Sequence, residues 1–500
     1  MKSPQDLHTI IKSLSKSEKR LFKLQVSGSQ KSENNYTILF DAIDAQEEYD
    51  EPKLQRKLRK HTFSKQISKT KFLLYKQILK VLQQFYSTRC EYAKLDVLIH
   101  SFDVLFHKTL YTQAYKILKR GKKIALVNQL TGWQQKFLEK EQQLLPFLEN
   151  HKTIQLATKE FLKSYEQVTQ KLHTENLYRS LHTKVRLHYD TFFNFHESTP
   201  ISTLFDEIME HPLMKDETKA STFFSKVLFM EITFLNAQVH FDFSKAFYWG
   251  KKMFEYWQEN PHMKSIFKMD FIRQLRDFTF CKITYGNLDD DLTEELEEWN
   301  TVKTNAQSKQ EEQKYQIEID AFQFINHLTR NNHSEAEVIY SKITTNSASI
   351  NLLPIYQRIT IFYHIAVYHF FKKEYKATWS IIEKINSLGN SKLDPHIMKY
   401  VRLMELILQY ELDDLEINHN DIQNIHVALS SIGVLGKVEE TLLEMMKELI
   451  GIKENSQAFH PIKKLIENNQ PVLKQHPSLI SHQILHVWIN DKIKVERKYA

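Results

Sequence analysis

Glycine and proline are almost missing from this 500-residue chain, at 9 and 11 residues, where average usage would supply roughly 35 and 25. Those two residues make the turns of β-rich and α/β folds and the phosphate loops of nucleotide sites. No two glycines stand closer than Gly433 and Gly436, so both the GxGxxG pattern and the phosphate-loop pattern are excluded. Cysteine is scarcer still. Cys90 and Cys281 stand alone, which rules out a disulfide framework and cysteine-based zinc ligation, and both are expected to be small buried apolar residues. Long apolar runs are also lacking. The most apolar stretch, Ile359 to Phe371, spans 13 residues and includes Thr360, His364 and His369, against about 20 for a bilayer span. It reads as a buried helix. The first 20 residues have no apolar stretch of the secretory type. A cytoplasmic protein without membrane contact is the expectation.

Motifs for chemistry are missing in the same way. There is no HExxH, and the 23 histidines are dispersed. Of the pairs His182/His188, His364/His369 and His482/His486, only the last has the i, i+4 spacing that places two imidazoles on one helix face. A zinc site needs a third ligand, and none lies nearby in sequence. Asp289-Asp-Asp291 lacks the alternation and the glycine turn of a calcium loop. Carboxylate pairs at helical spacing arise by chance among 61 acids. The expectation is no cofactor, no metal and no enzyme.

What is present is helix-forming and aromatic. Apolar residues make up 42% of the chain and aromatics 12%, including 32 Phe and 22 Tyr, ample for a core and against disorder. Apolar positions recur at helical spacing throughout, as at Phe72, Leu73, Ile78, Leu79, Leu82 and Phe85. Ser15-Lys-Ser-Glu18 reads as a capping box, and Asp50-Glu-Pro52 as a helix start. From residue 91 the pattern becomes pairs of helices, such as 92–106 with 111–130, 223–240 with 243–257, and 359–371 with 375–385. Two further helices are expected over 153–172 and 177–195, an acidic turn over 286–298, and a hinge or exposed helix over 300–314. Val401 to Leu412 is apolar nearly all round and belongs in the middle of a stack.

The segment from Phe362 to Asn390 resembles a tetratricopeptide repeat. Phe362, Ile365 and Ala366 stand at the large and small packing positions of its first helix. Tyr375 stands at the aromatic position and Thr378 where alanine is usual. Tyr111 with Ala114 is a second match, and Phe243 with Ala246, and His333 with Ala336, are half-matches. These anchors lie 132, 90 and 42 residues apart, not at multiples of about 34. The resemblance implies an all-α fold, an irregular α-solenoid of antiparallel helix pairs, with the anchors as packing positions and no functional residue carried over.

Charge divides the chain unevenly. The net charge is +7, yet residues 1–90 alone hold 18 Lys and Arg against 9 Asp and Glu. Three parts are therefore expected: a basic helical module over 1–90, and two halves of the helix-pair stack over 91–300 and 301–500. Within the module, Lys53, Arg56, Lys57, Arg59, Lys60, Lys65, Lys69, Lys71, Lys76 and Lys80 occur without one intervening acid. Such a surface attracts phosphates. It also fits a contact to an acidic partner such as the 289–298 pole, or a solvated helix face. Helices near 36–45 and 52–60 suggest a helix-turn-helix, although the acidic segment between them is longer than that motif's turn. The expected function is a scaffold or adaptor that holds a peptide or protein partner in a helical-repeat groove. The alternative is a nucleic-acid-binding regulator that uses residues 53–80.

Overall fold

The computed structural model describes residues 5–27, 35–87, 90–148, 151–192, 201–240, 242–285, 291–388, 395–412, 419–431, 437–448, 464 and 487–492. Every regular element among them is a helix. The chain divides into two compact units. The first comprises Met1–His173, His262–Lys268 and Val302–Gln313, and the second Thr174–Pro261, Met269–Thr301 and Lys314–Ala500.

The first unit opens with α1 (Gln5–Ser13), α2 (Lys16–Ser27), α3 (Asn35–Asp44), α4 (Glu51–Leu58) and α5 (Ile67–Tyr86). Their apolar stripes close on one hydrophobic cluster drawn entirely from residues 7–82. At its centre α3 buries Leu39, Phe40, Ala42 and Ile43, and Phe22 of α2 stacks on Phe40 at 4.8 Å. The capping box forms: the Ser15 backbone N–H donates to Glu18 at 2.6 Å and the Glu18 N–H to the Ser15 hydroxyl at 3.3 Å. Asp50 caps α4 by accepting from the Lys53 N–H at 2.9 Å.

The helices α6 (Glu91–His107), α7 (Tyr111–Val127) and α8 (Thr131–Leu144) then fold back on one another. Gly121 of α7 lies so close to Phe137 of α8 that a Cβ there would sit 2.1 Å from the ring. One of the chain's few glycines thus serves close packing rather than a turn. Cys281 is buried as expected, but Cys90 is exposed: it is the extended residue immediately before α6, outside the apolar stripe.

A second correction concerns residues 153–195. Residues 153–192 belong to one helix, α9 (His151–Phe192), of 42 residues, about 63 Å at 1.5 Å per residue; 193–195 lie outside the described residues. Nothing between 172 and 177 breaks it, because Leu172-His-Thr-Glu-Asn-Leu177 contains neither Gly nor Pro. The unit boundary falls inside this helix.

The later elements are α10 (Ile201–Met209), α11 (Phe223–Val239), α12 (Phe243–Glu259), α13 (Pro261–Ile266), α14 (Lys268–Tyr285), α15 (Thr293–Thr304) and α16 (Lys309–Thr329). They continue with α17 (His333–Thr345), α18 (Ser347–Ile350), α19 (Ile355–Phe371), α20 (Tyr375–Ser387), α21 (Pro395–Glu411), α22 (His419–Ser431) and α23 (Lys437–Glu448). The acidic stretch is not a turn where it is described. Glu294, Glu295, Glu297 and Glu298 lie on α15, the first two in the opening turn, where the helix dipole favours negative charge. Glu295 is buried and pairs with Lys282 at 3.0 Å. The apolar stretch of α21 is buried as its composition implies, from Val401 through Leu408. Its end holds Trp488, whose indole N–H donates to Glu411 at 2.6 Å.

Helix pairs share one turn design. Thr109, Gln129, Asn331 and Lys373 have φ of 59, 49, 58 and 59°, each two residues before the next helix begins. Each donates three residues back (Thr109 to Phe106, 2.9 Å; Lys373 to Phe370, 2.9 Å), and the following residue donates five back (Leu110 to Leu105, 2.9 Å; Glu374 to His369, 3.0 Å). This is the Schellman closure, in which the left-handed position is usually glycine. Asp242 makes the same five-back bond to Ala237, at 2.9 Å. A chain this poor in glycine stops its helices with ordinary residues, each at roughly 1–2 kcal/mol of backbone strain.

Candidate functional site

Two places concentrate charge. The first is the outer side of α4 and α5. Of the ten cations in residues 53–80, nine are exposed, and none of the nine pairs with a carboxylate among the described residues. Lys71 is the exception, at 3% relative exposure. Its ammonium meets Glu51 at 2.5 Å and donates to the Tyr49 hydroxyl at 2.9 Å. Tyr49 also hydrogen-bonds Glu51. Burial pushes the Glu51 carboxyl up, but hydrogen bonds from Lys71, Tyr49 and Gln55 outweigh it and hold it below the usual range. Burial first, then Glu51, raises the Tyr49 hydroxyl, so it remains a donor. Sequence reading grouped Lys71 with the surface, although a signal was there: Lys71, Leu74, Ile78 and Leu82 share one helical phase. The start of α4 is thereby pinned to α5, and the nearest acids, Asp50 and Glu51, are already engaged.

A separate open hollow on α2 is lined by Lys16, Lys19, Arg20, Lys23 and Leu24. Lys19 and Lys23 are held by Asp44 and Asp41, each at 2.6 Å.

The second place is inside the second unit. α11 is apolar almost all round, yet at its middle stands Glu231, with 0% of its surface exposed. Its carboxylate faces His182 at 3.1 Å, Arg273 at 3.0 Å and Arg186 at 3.6 Å, and accepts from Gln274 at 2.5 Å. α9 supplies Glu175, Arg179, His182 and Arg186, and α14 supplies Asp270, Arg273, Gln274 and Asp277. Each set recurs at three- and four-residue steps and so forms one polar stripe on its helix. Arg186 also binds Asp277 at 2.8 Å, and Arg273 binds Asp270 at 2.9 Å. Arg276 forks onto Glu318 of α16 through Nε at 3.0 Å and Nη2 at 2.8 Å. Burial alone would raise the Glu231 carboxyl, but the charges of His182, Arg273 and Arg186 outweigh it and hold it at about 2. Sequence reading missed this hub; its signal was one acid in the apolar run Val227 to Leu235. Cys281, nearby on α14, is no nucleophile, because burial pushes its thiol well above the ordinary value. The hub ties helices together by charge and hydrogen bonds.

The repeat anchors are placed as follows. Ala114, Ala246, Ala336, Ala366 and Thr378 have no exposed surface, and Phe243 is buried. Tyr111 and Tyr375 are half-buried against Phe106 and Phe370, ring centroids 5.6 Å apart in both cases. Ala114, Ala336 and Thr378 each follow the left-handed residue of their turn by five. Thr378 satisfies its buried hydroxyl by donating to the Glu374 carbonyl at 3.1 Å. His482 and His486 lie outside the described residues. No group of three or more His, Cys, Asp or Glu side chains able to hold a metal occurs among the described residues. No helix among them is long and apolar enough to cross a membrane. Comparison with protein-family models, curated proteins and solved structures found no match to the chain.

Proposed function

We propose that this chain is a non-catalytic interaction scaffold of the cytoplasm. In this reading its helix pairs stack as an irregular α-solenoid of the tetratricopeptide type and hold a peptide or protein partner. The observation that carries the reading is a pair of exposed valines on one face of α6. Leu95, Leu98 and Phe102 bury one side of that helix. Val97 and Val104, two turns apart on the other side, are 49% and 42% exposed. An isolated exposed valine needs no explanation, but two on one face of a helix whose other side is buried, with His100 and Ser101 between them, suit a helix or strand laid against them. The recurrent turn supports the stack, since at Thr109, Asn331 and Lys373 the same closure is followed five positions later by the buried Ala114, Ala336 or Thr378.

The test is affinity capture of the tagged chain from its native cell, beside Val97→Glu with Val104→Glu. Both positions are exposed, so the variant should fold as the wild type does, by far-ultraviolet circular dichroism. A stoichiometric protein partner lost in the variant supports the reading. No such partner for the wild type, or one retained by the variant, overturns it.

A further inference from the structure

We infer that the outer face of α4 and α5 docks on the phosphate backbone of duplex nucleic acid. On α5 the 100° step per residue places Lys69, Lys76 and Lys80 within an arc of about 40°, spread over roughly 16 Å of helix. All three are exposed, and the buried Leu74, Ile78 and Val81 lie on the opposite side. On α4, Lys53, Arg56 and Lys57 are exposed while Leu54 and Leu58 face the core, and Arg59 and Lys60 extend the charge past the helix end. A solvated helix face ordinarily mixes both signs. Here Lys53/Lys57 and Lys76/Lys80 set like charges one turn apart, an arrangement that weakens a helix. An anion supplied from outside relieves that repulsion.

The pattern selects among anions. A membrane-binding helix carries its apolar side chains at the centre of the contact face with lysines at the edges. On α5 the order is reversed: the lysines hold the centre, while Phe72 and Leu79 lie about 60–80° to one side and Leu73 about 40° to the other. Protein interfaces are depleted of lysine at their core, whereas surfaces for nucleic acid are rich in it. Single-stranded nucleic acid is held by open aromatic rings on which bases stack. Of the aromatics here, Phe63 is buried and Tyr75 half-buried, and Phe72, 42% exposed, has the Lys76 ammonium over its ring at 4.6 Å from the centroid. Nine exposed cations with a single exposed ring, itself engaged by Lys76, fit the backbone of a duplex better than a series of stacked bases. The module presents them rigidly, because both helices are fixed to the cluster over residues 7–82 and Lys71 locks α4 to α5.

The experiment measures fluorescence anisotropy of a 30-base-pair random-sequence DNA duplex with the full chain, from 50 to 200 mM salt. With about five to seven phosphate contacts, the slope of log affinity against log salt should be about −4.5 to −6.3. Lys69→Gln with Lys76→Gln and Lys80→Gln should lower its magnitude by about 3 and weaken binding by ~100-fold or more at 0.1 M salt. The triple arginine variant should bind as the wild type does, and circular dichroism should show both variants folded. Duplex binding that is absent at 50 mM salt, or unchanged in the glutamine variant, overturns the inference. So does equal or tighter binding to phosphatidylserine vesicles, to polyglutamate or to a single strand of the same length.

Discussion

Replacing Glu231 is the sharpest test of the buried charge hub. Glu231→Ala removes the carboxylate shared by His182, Arg186 and Arg273 and leaves the two guanidiniums and the imidazole facing a small void. Breaking a buried ion pair from one side ordinarily costs about 3–5 kcal/mol. Here Arg186 keeps Asp277 and Arg273 keeps Asp270, so the expectation is the lower end, about 3 kcal/mol. Glu231→Gln preserves volume and a hydrogen-bonding oxygen, and should cost about 1–2 kcal/mol. Urea unfolding followed at 222 nm, with the slope m compared between variants, reads both values. The pH dependence adds a second readout. The folded value of about 2 lies below the ordinary 4.5. The hub's stabilisation is therefore fully present above pH 4.5 and is lost as pH falls from 4.5 toward 2. Wild-type stability should drop more steeply over that interval than that of Glu231→Gln. An alanine variant within 0.5 kcal/mol (roughly the scatter of ordinary surface substitutions), or a glutamine variant with the wild-type acid slope, would refute the reasoning.

Other perturbations test the packing. Gly121→Val drives a side chain into the Phe137 ring, already 2.1 Å from a single added carbon; a loss of about 1–3 kcal/mol or more is expected in denaturant melts. Thr109→Gly and Lys373→Gly act in the other direction. Each relieves a left-handed conformation, partly offset by chain entropy, and should gain roughly 0.5–1 kcal/mol; a loss in both would contradict the turn assignment. A thiol reagent should modify Cys90 in the native protein and reach Cys281 only on unfolding, with mass spectrometry of the labelled peptides as the readout.

The all-helical fold was legible because helical periodicity and the shortage of turn residues are local properties. Helix pairs such as α6 with α7 and α19 with α20 appear in the sequence as two apolar stripes around a short polar gap. Their left-handed stops were not legible, since glycine marks that conformation and Thr109, Gln129, Asn331 and Lys373 do not announce it. The continuity of α9 was missed for the opposite reason: a polar interval looked like a gap, but polarity without Gly or Pro does not end a helix.

The charged sites divide in the same way. Sequence alone determined that residues 53–80 carry ten cations and no acid, because composition needs no partner to be read. Only the tertiary structure decided that nine of them face solvent while Lys71 closes onto Glu51 and Tyr49. Glu231 makes the point most fully. Its place in an apolar run marked it as unusual, but its partners lie about 45 residues to either side, at His182, Arg186 and Arg273. A helix determines from its own residues which side chains share a face. What that face meets depends on which other helices pack against it, and no local pattern encodes that choice.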